Sequence, residues 1–197
     1  MYKAKNFSHL LGKIIGINDN LLKTHFKLYE GLVDATNVAV TELEKVKKEG
    51  VKNMVQYSSI QKQFSFFFNG MRLHELYFGV MGGENRENMS KELFKAINEN
   101  FGSFEKWKEN FMSTGDIPGV GFSVLCLDKS SGKMFNTWIN EFNTGELIDV
   151  EILLPMDMWE HSYLCEFGLD LKKYQQTFLK NVNWSIISKR YTNALKK

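Results

Sequence analysis

In its last quarter the chain runs ILLPMDMWEHSYL, residues 152–164. An apolar run stops on a carboxylate, Asp157, and an imidazole, His161, comes four residues later. Four residues is about one helical turn, so in helical geometry both side chains fall on one face. Imidazole nitrogen beside carboxylate oxygen suits a borderline divalent or trivalent cation such as Fe, Mn or Zn. The same pair also suits a helix cap followed by an ordinary core histidine. The 197 residues contain only 4 histidines: His9, His25, His74 and His161. His25 and His74 each interrupt an apolar stripe. If those stripes face one another, three imidazoles and one carboxylate converge. A donor set without thiolates disfavours iron–sulfur clusters and Cu(I). A single anionic ligand leaves a trivalent ion net positive, which attracts an anion and acidifies a bound water. His9 lies in the lead-in and is assigned no chemistry.

The elements that must position these groups are set by periodicity. Residues 1–20 read as a loosely ordered lead-in, with Asn18 or Asn20 as a cap for the first long helix. From Leu21 the spacing is helical: Leu21, Leu22, His25, Leu28, Tyr29, Leu32, Val33 and Thr36 share a face, and the pattern runs on to Gly50. A second helix is predicted from about Ser58 to Val80, with Phe64, Phe67, Phe68, Met71, His74, Tyr77 and Phe78 on one face. The segment GGENREN, residues 82–88, reads as a turn and a boundary. It divides the chain into an N-terminal helical hairpin, 1–84, and a C-terminal α/β domain, 85–197. Two shorter helices come after it, with Ser90 and Ser103 as N-caps and Gly102 and Gly115 as stops. Three strand-like runs come next: GVGFSVLCLD, KMFNTWI and DVEILLPMD, the first two joined by the hairpin signal KSSG. Helical segments close the chain. That order is α+β.

Composition narrows the function classes. Hydrophobic residues at 43% and charged residues at 24% fit one globular domain or two small lobes sharing a core. A formal net charge of +2 gives no case for nucleic acid and is compatible with a small anionic substrate. The 2 cysteines, Cys126 and Cys165, have no CxxC spacing and read as reduced. The N-terminus lacks the apolar core and cleavage site of a signal peptide, and no stretch approaches a transmembrane helix. The expectation is a cytoplasmic chain with neither membrane nor nucleic-acid partners.

The segment DMWEHSYLCEFGLDLKKYQQTFLKNVNW, residues 157–184, resembles the C-terminal signature of the iron/manganese superoxide dismutase family: D-x-W-E-H-x-Y, then a short segment ending in N-W. Asp157, Trp159, Glu160, His161, Tyr163, Asn183 and Trp184 stand in those places. FGSFEKWKENF, GVGFSVLCLD, FNGMRLHELYF (with Asn69 and His74) and THFKLYEGLVDATN resemble further family segments. The resemblance implies an N-terminal helical hairpin packed on a C-terminal α/β lobe with a three-stranded antiparallel sheet. It implies one Fe or Mn ion per subunit held by His25, His74, Asp157 and His161, with superoxide as substrate and dioxygen and hydrogen peroxide as products. It also implies a homodimer, or a tetramer built from dimers, with Glu160 bonding a ligand histidine across the interface.

Around the ligands the sequence departs from that pattern. The tyrosine that gates the family's substrate funnel has Leu32 or Val33 in its place, with Tyr29 nearby. The histidine that supports the funnel has no counterpart, and Leu164 replaces its tyrosine partner. Phe142 stands where the family places a glutamine or histidine that bonds the metal-bound solvent; Asn140 and Asn143 flank it. Phe122 and Val124 stand where tryptophans often line the pocket. Tyr29, Asn140, Asn143 and Trp159 are therefore the side chains expected to support the ligands. The alternative to a dismutase is a family-shaped metal-binding protein with little such activity.

Overall fold

The computed structural model describes residues 1–83 and 88–196. The expected division at 84/85 falls outside the described residues. Two long helices, α1 (Asp19–Glu49) and α2 (Met54–Gly79), form the N-terminal hairpin. Asn18 caps α1 by accepting from the Asn20 N–H, and Gly50 ends it at φ 78°, a left-handed value that glycine takes without a Cβ penalty. α2 begins at Met54, four residues before the expected Ser58, because the Asn53 side chain accepts from the Gln56 N–H and starts the helix there. α3 (Lys91–Phe101) and α4 (Phe104–Gly115) come next, capped by Ser90 and Ser103 through the N–H groups of Leu93 and Lys106.

Strands β1 (Gly121–Asp128), β2 (Met134–Asn140) and β3 (Val150–Asp157) form one antiparallel sheet in the order β2-β1-β3. β1 is central and buried along nearly its whole length. It pairs Phe122 with Asp157, so the last residue of β3 lies across from an aromatic residue. α5 (Glu160–Phe167), α6 (Leu171–Lys180) and α7 (Trp184–Ala194) complete the fold. α2 and α7 pack on β3, and α4 packs on β1 and β2. The guanidinium of Arg190 on α7 donates to the carbonyls of Leu153 on β3 (2.9 Å) and Leu76 on α2 (3.1 Å), joining hairpin and sheet.

The lead-in is not loose. It forms a 3₁₀ turn at Ser8–Leu10 and buries Phe7, Leu10, Ile14 and Ile17 in the core shared by helices and sheet. Burying each such side chain is worth about 1.5–3 kcal/mol. The Asn181 side chain pins the segment by bonding both the N–H and the carbonyl of Ile15, at 2.8 Å each. The four are spaced 3, 4 and 3, a helical period, but Gly12 and Gly16 at φ 73° and 81° interrupt a continuous helix, so the segment packs as an irregular strap. Among the described residues, no helix is long and apolar enough to cross a membrane.

Candidate metal centre

Four elements bring His25, His74, Asp157 and His161 together. α1 and α2 turn their apolar stripes toward each other, carrying His25 and His74 inward; both are buried, at 2% and 0% exposure. β3 delivers Asp157 at 0% exposure, and the first turn of α5 returns His161 to the same spot. The Nε2 atoms of His25, His161 and His74 lie 3.1, 3.2 and 3.5 Å from one oxygen, Asp157 Oδ2. One ligand atom from each of the four residues lies within 4.8 Å of every other. Atoms about 2.0–2.2 Å from one metal, at ordinary coordination angles, sit roughly 3–3.6 Å apart.

Hydrogen bonds around the cluster orient its donor atoms inward. The Nδ1–H of His74 donates to the Gly70 carbonyl at 2.7 Å, which turns the Nε2 lone pair inward. That Nε2 is buried and has no hydrogen-bond partner. A buried polar atom in this condition costs about 1–3 kcal/mol unless something else satisfies it. Asp157 Oδ1 accepts the Trp159 N–H at 2.9 Å, so only Oδ2 faces the imidazoles. The Asp157 carbonyl accepts from Tyr174 (2.6 Å) and Ser162 (3.0 Å), which fixes the end of β3. Asp157 is not the N-cap of α5; Trp159 holds that position without a side-chain cap. The helix-cap alternative therefore gives way to a carboxylate aimed at three histidines.

The electrostatics fit a cation. Burial opposes ionisation of Asp157, yet His161 and His25 outweigh it and hold the carboxyl well below its usual range. Burial drives His74 down to about 3 and lowers His25, so both imidazoles stay neutral with lone pairs available. Burial also acts against the His161 proton, but the Asp157 charge prevails and raises its pKa. One buried anion thus faces three imidazoles, and three nitrogens with one oxygen match a borderline metal ion. The four residues fit the ion that the sequence leads one to expect.

The model match for iron/manganese superoxide dismutases, C-terminal domain, covers residues 89–190. The chain belongs to the iron/manganese superoxide dismutase family. It is 29% identical to a protein named superoxide dismutase [Fe] from Pyrobaculum aerophilum over 174 residues, 87% of this chain and 82% of that one. It is 27% identical to the protein of the same name from Aquifex aeolicus, over 92% of this chain and 87% of that one. A third relative of that name, from Cupriavidus metallidurans, is 25% identical over 100% of this chain and 99% of its own.

This family member surrounds the cluster with aromatic rings. Phe142 lies 5.7 Å from the His74 ring and stacks on Trp159 at 4.7 Å; Trp159 in turn lies 5.8 Å from His161. Phe122 and Phe78 close further sides of His74. Tyr29 presents its ring to His74 at 6.5 Å, while its hydroxyl accepts from the Lys5 N–H and donates to Glu75. Of the four expected supporting side chains, Tyr29 and Trp159 thus touch ligand rings and the two asparagines do not. Asn140 is exposed where β2 ends, and Asn143 donates to Ser65 at 2.8 Å. The reason is local: Glu141 takes a left-handed φ of 52°, and the chain turns Phe142, not its neighbours, inward. Glu160 is exposed at the start of α5, and His9 is exposed away from the cluster.

Two contributors were not legible beforehand. Gly70 lets Phe142 in: a Cβ there would come 3.0 Å from the Phe142 ring and 3.2 Å from Leu32. Glu75, beside His74, is buried and receives Lys5 and Arg72, each at 2.8 Å. The Arg72–Glu75 spacing of three is visible in sequence, but the Lys5 partner is distant in the chain and carries no local signal.

Proposed function

We propose that this chain is a superoxide dismutase that holds one Fe or Mn ion per subunit through His25, His74, Asp157 and His161. The observation that carries the reading is the convergence of three imidazole nitrogens on Asp157 Oδ2, with His74 Nε2 buried and unpartnered. The names of the relatives favour iron; the donor set itself admits either metal. Bound there, such an ion supplies one-electron redox chemistry that converts two superoxide anions and two protons into dioxygen and hydrogen peroxide.

The chain's own residues do the rest. Asp157 supplies the single anionic donor, so the loaded site stays net positive and favours a small anion. The Gly70 carbonyl holds the His74 proton at Nδ1 and keeps Nε2 as the donor atom. Phe122, Phe142, Phe78 and Trp159 exclude water from most directions. His161 has 19% of its side chain exposed against 0–2% for the other three, so the substrate reaches the site from the His161 side. In the assembly we propose, a homodimer or a tetramer of dimers, Glu160 reaches the partner's site from its exposed position on α5. Free cysteines, buried Cys126 and exposed Cys165, support a cytoplasmic setting.

One observation favours a second reading. Phe142 offers no hydrogen-bond donor or acceptor at the wall of the site. That wall suits a metal-binding protein of this family with little dismutase activity. Superoxide removal per bound metal separates the two. Activity that rises with Fe or Mn loading supports the dismutase, whereas a fully loaded, inert protein supports the alternative.

A further inference from the structure

His25, His74 and Asp157 are shut away from water, so an ion with its water shell reaches all three only if part of the wall moves. Phe142 is the part built to move. One side of its ring lies 5.7 Å from the His74 ring. Phe142 also lines a surface groove of about 310 Å³, together with Leu73, Ile139 and Ile152. A single ring thus stands between a buried ligand and open space beside it. Glu141, just before Phe142, has φ 52°; Asp149, which closes the same β2–β3 connection, has φ 59°. Among the described residues these are the only two non-glycine residues with positive φ. An L side chain adopts that region at a cost and stays there only where its surroundings impose it. Two polar latches to α2 do so: the Asn143 amide donates to the Ser65 hydroxyl at 2.8 Å, and the Asn69 amide donates to Glu146. The turn itself is closed by the Asn140 N–H on the Thr144 carbonyl (2.8 Å) and the Glu141 N–H on the Val120 carbonyl (2.7 Å). Glu146 is exposed and the other three latch residues are half-buried, so water replaces these bonds at small cost. Past the latches the connection projects outward, with Ile148 96% exposed.

We propose that residues 141–149 form a latched gate that sets how fast the metal enters and leaves. When the latches break, Glu141 relaxes to an ordinary negative φ. That rotation carries the Phe142 ring off His74 toward the groove and opens the His74 side of the cluster to water. Reclosing restores the dry aromatic wall, so the open form is a minor state of the same fold. Ser65, Asn69, Asn143 and Glu146 are positioning residues in this scheme: they hold Phe142 in place and do not themselves hold the ion. The proposal rests on the four-ligand reading above.

The test is the kinetics of Fe(II) exchange without oxygen. Ferrozine absorbance reads release from the loaded protein. Quenching of tryptophan fluorescence reads uptake by the metal-free protein, since Trp159 lies 5.8 Å from His161. Ser65→Ala/Asn69→Ala removes both latches and is expected to speed uptake and release alike, by about tenfold, leaving equilibrium occupancy unchanged. Glu141→Gly removes the penalty of the left-handed conformation and is expected to slow both rates by about two- to fivefold. A weakened site speeds release alone, and a loosened fold does not answer the two substitutions in opposite directions. Rates that ignore the latch variant place the ion's route on the His161 side and overturn the gate. Faster release without faster uptake overturns it too, as does a shift of both variants in one direction. A native chain that takes up no Fe(II) contradicts the four-ligand reading itself, and the gate with it; a chain that loads Fe(II) but ignores the latches overturns the gate alone.

Discussion

Asp157 divides its two oxygens between tasks: Oδ1 takes the Trp159 N–H and Oδ2 faces three imidazoles. It is the one anionic side chain of the cluster. Asp157→Ala is expected to abolish stoichiometric metal binding; metal analysis that finds full occupancy in the variant contradicts the assignment. Glu75 carries a separate, pH-dependent contribution. Burial alone raises its pKa, but Lys5 and Arg72 outweigh burial and hold it below the usual carboxylate range in the folded chain. A lowered folded-state value means the stabilisation is present above the unfolded pKa and is lost as pH falls through the folded one. Denaturant unfolding of Glu75→Gln is therefore expected to show lower stability at neutral pH, by about 1–3 kcal/mol, and a shallower loss on acidification from about pH 5. An acid limb identical to that of the parent protein would falsify this role.

At the scale of elements, α2 and the turn after β2 fit one another through a single position. Gly70 sits one helical turn before His74, and the Phe142 ring occupies the space a side chain at 70 would need. Both neighbours of a new Cβ are core side chains, Phe142 and Leu32, so neither can swing into solvent. Gly70→Ala is expected to destabilise the fold by about 1–3 kcal/mol, as overpacking does. Because the Gly70 carbonyl also orients His74, the variant should bind metal more weakly as well. Chemical denaturation and metal titration of one preparation check both; unchanged values in each would remove Gly70 from the account.

At the scale of the molecule, the helical hairpin and the three strands were legible in sequence, because their periods of 3.6 and 2 are set by which face is buried; a simple meander order was expected too, but β3 pairs with β1 and not with β2, and periodicity does not encode which strands pair. The four-residue cluster was legible too: histidines are few, two interrupt apolar stripes, and DMWEH places Asp157 and His161 one turn apart. The surroundings were not. Lys5 meets Glu75, and Phe142 meets Gly70, across separations that no local pattern encodes. Asn140 and Asn143 looked able to support the site, but the left-handed Glu141 turns Phe142 inward instead. Assembly belongs to this scale as well. Glu160 is exposed in the single chain, and if it bridges to a partner's site, Glu160→Ala should dissociate the oligomer at higher concentration than the parent. Sedimentation velocity over a dilution series reads this directly, and superimposable profiles would exclude the bridge. The central claim is that the four convergent side chains hold a redox metal that removes superoxide. Its most direct test is metal analysis and superoxide consumption on one preparation of the native chain and one of His74→Ala. The account predicts about one Fe or Mn per native chain with activity, and loss of both in the variant. A native protein that carries no Fe or Mn, or a variant that keeps its activity, contradicts it.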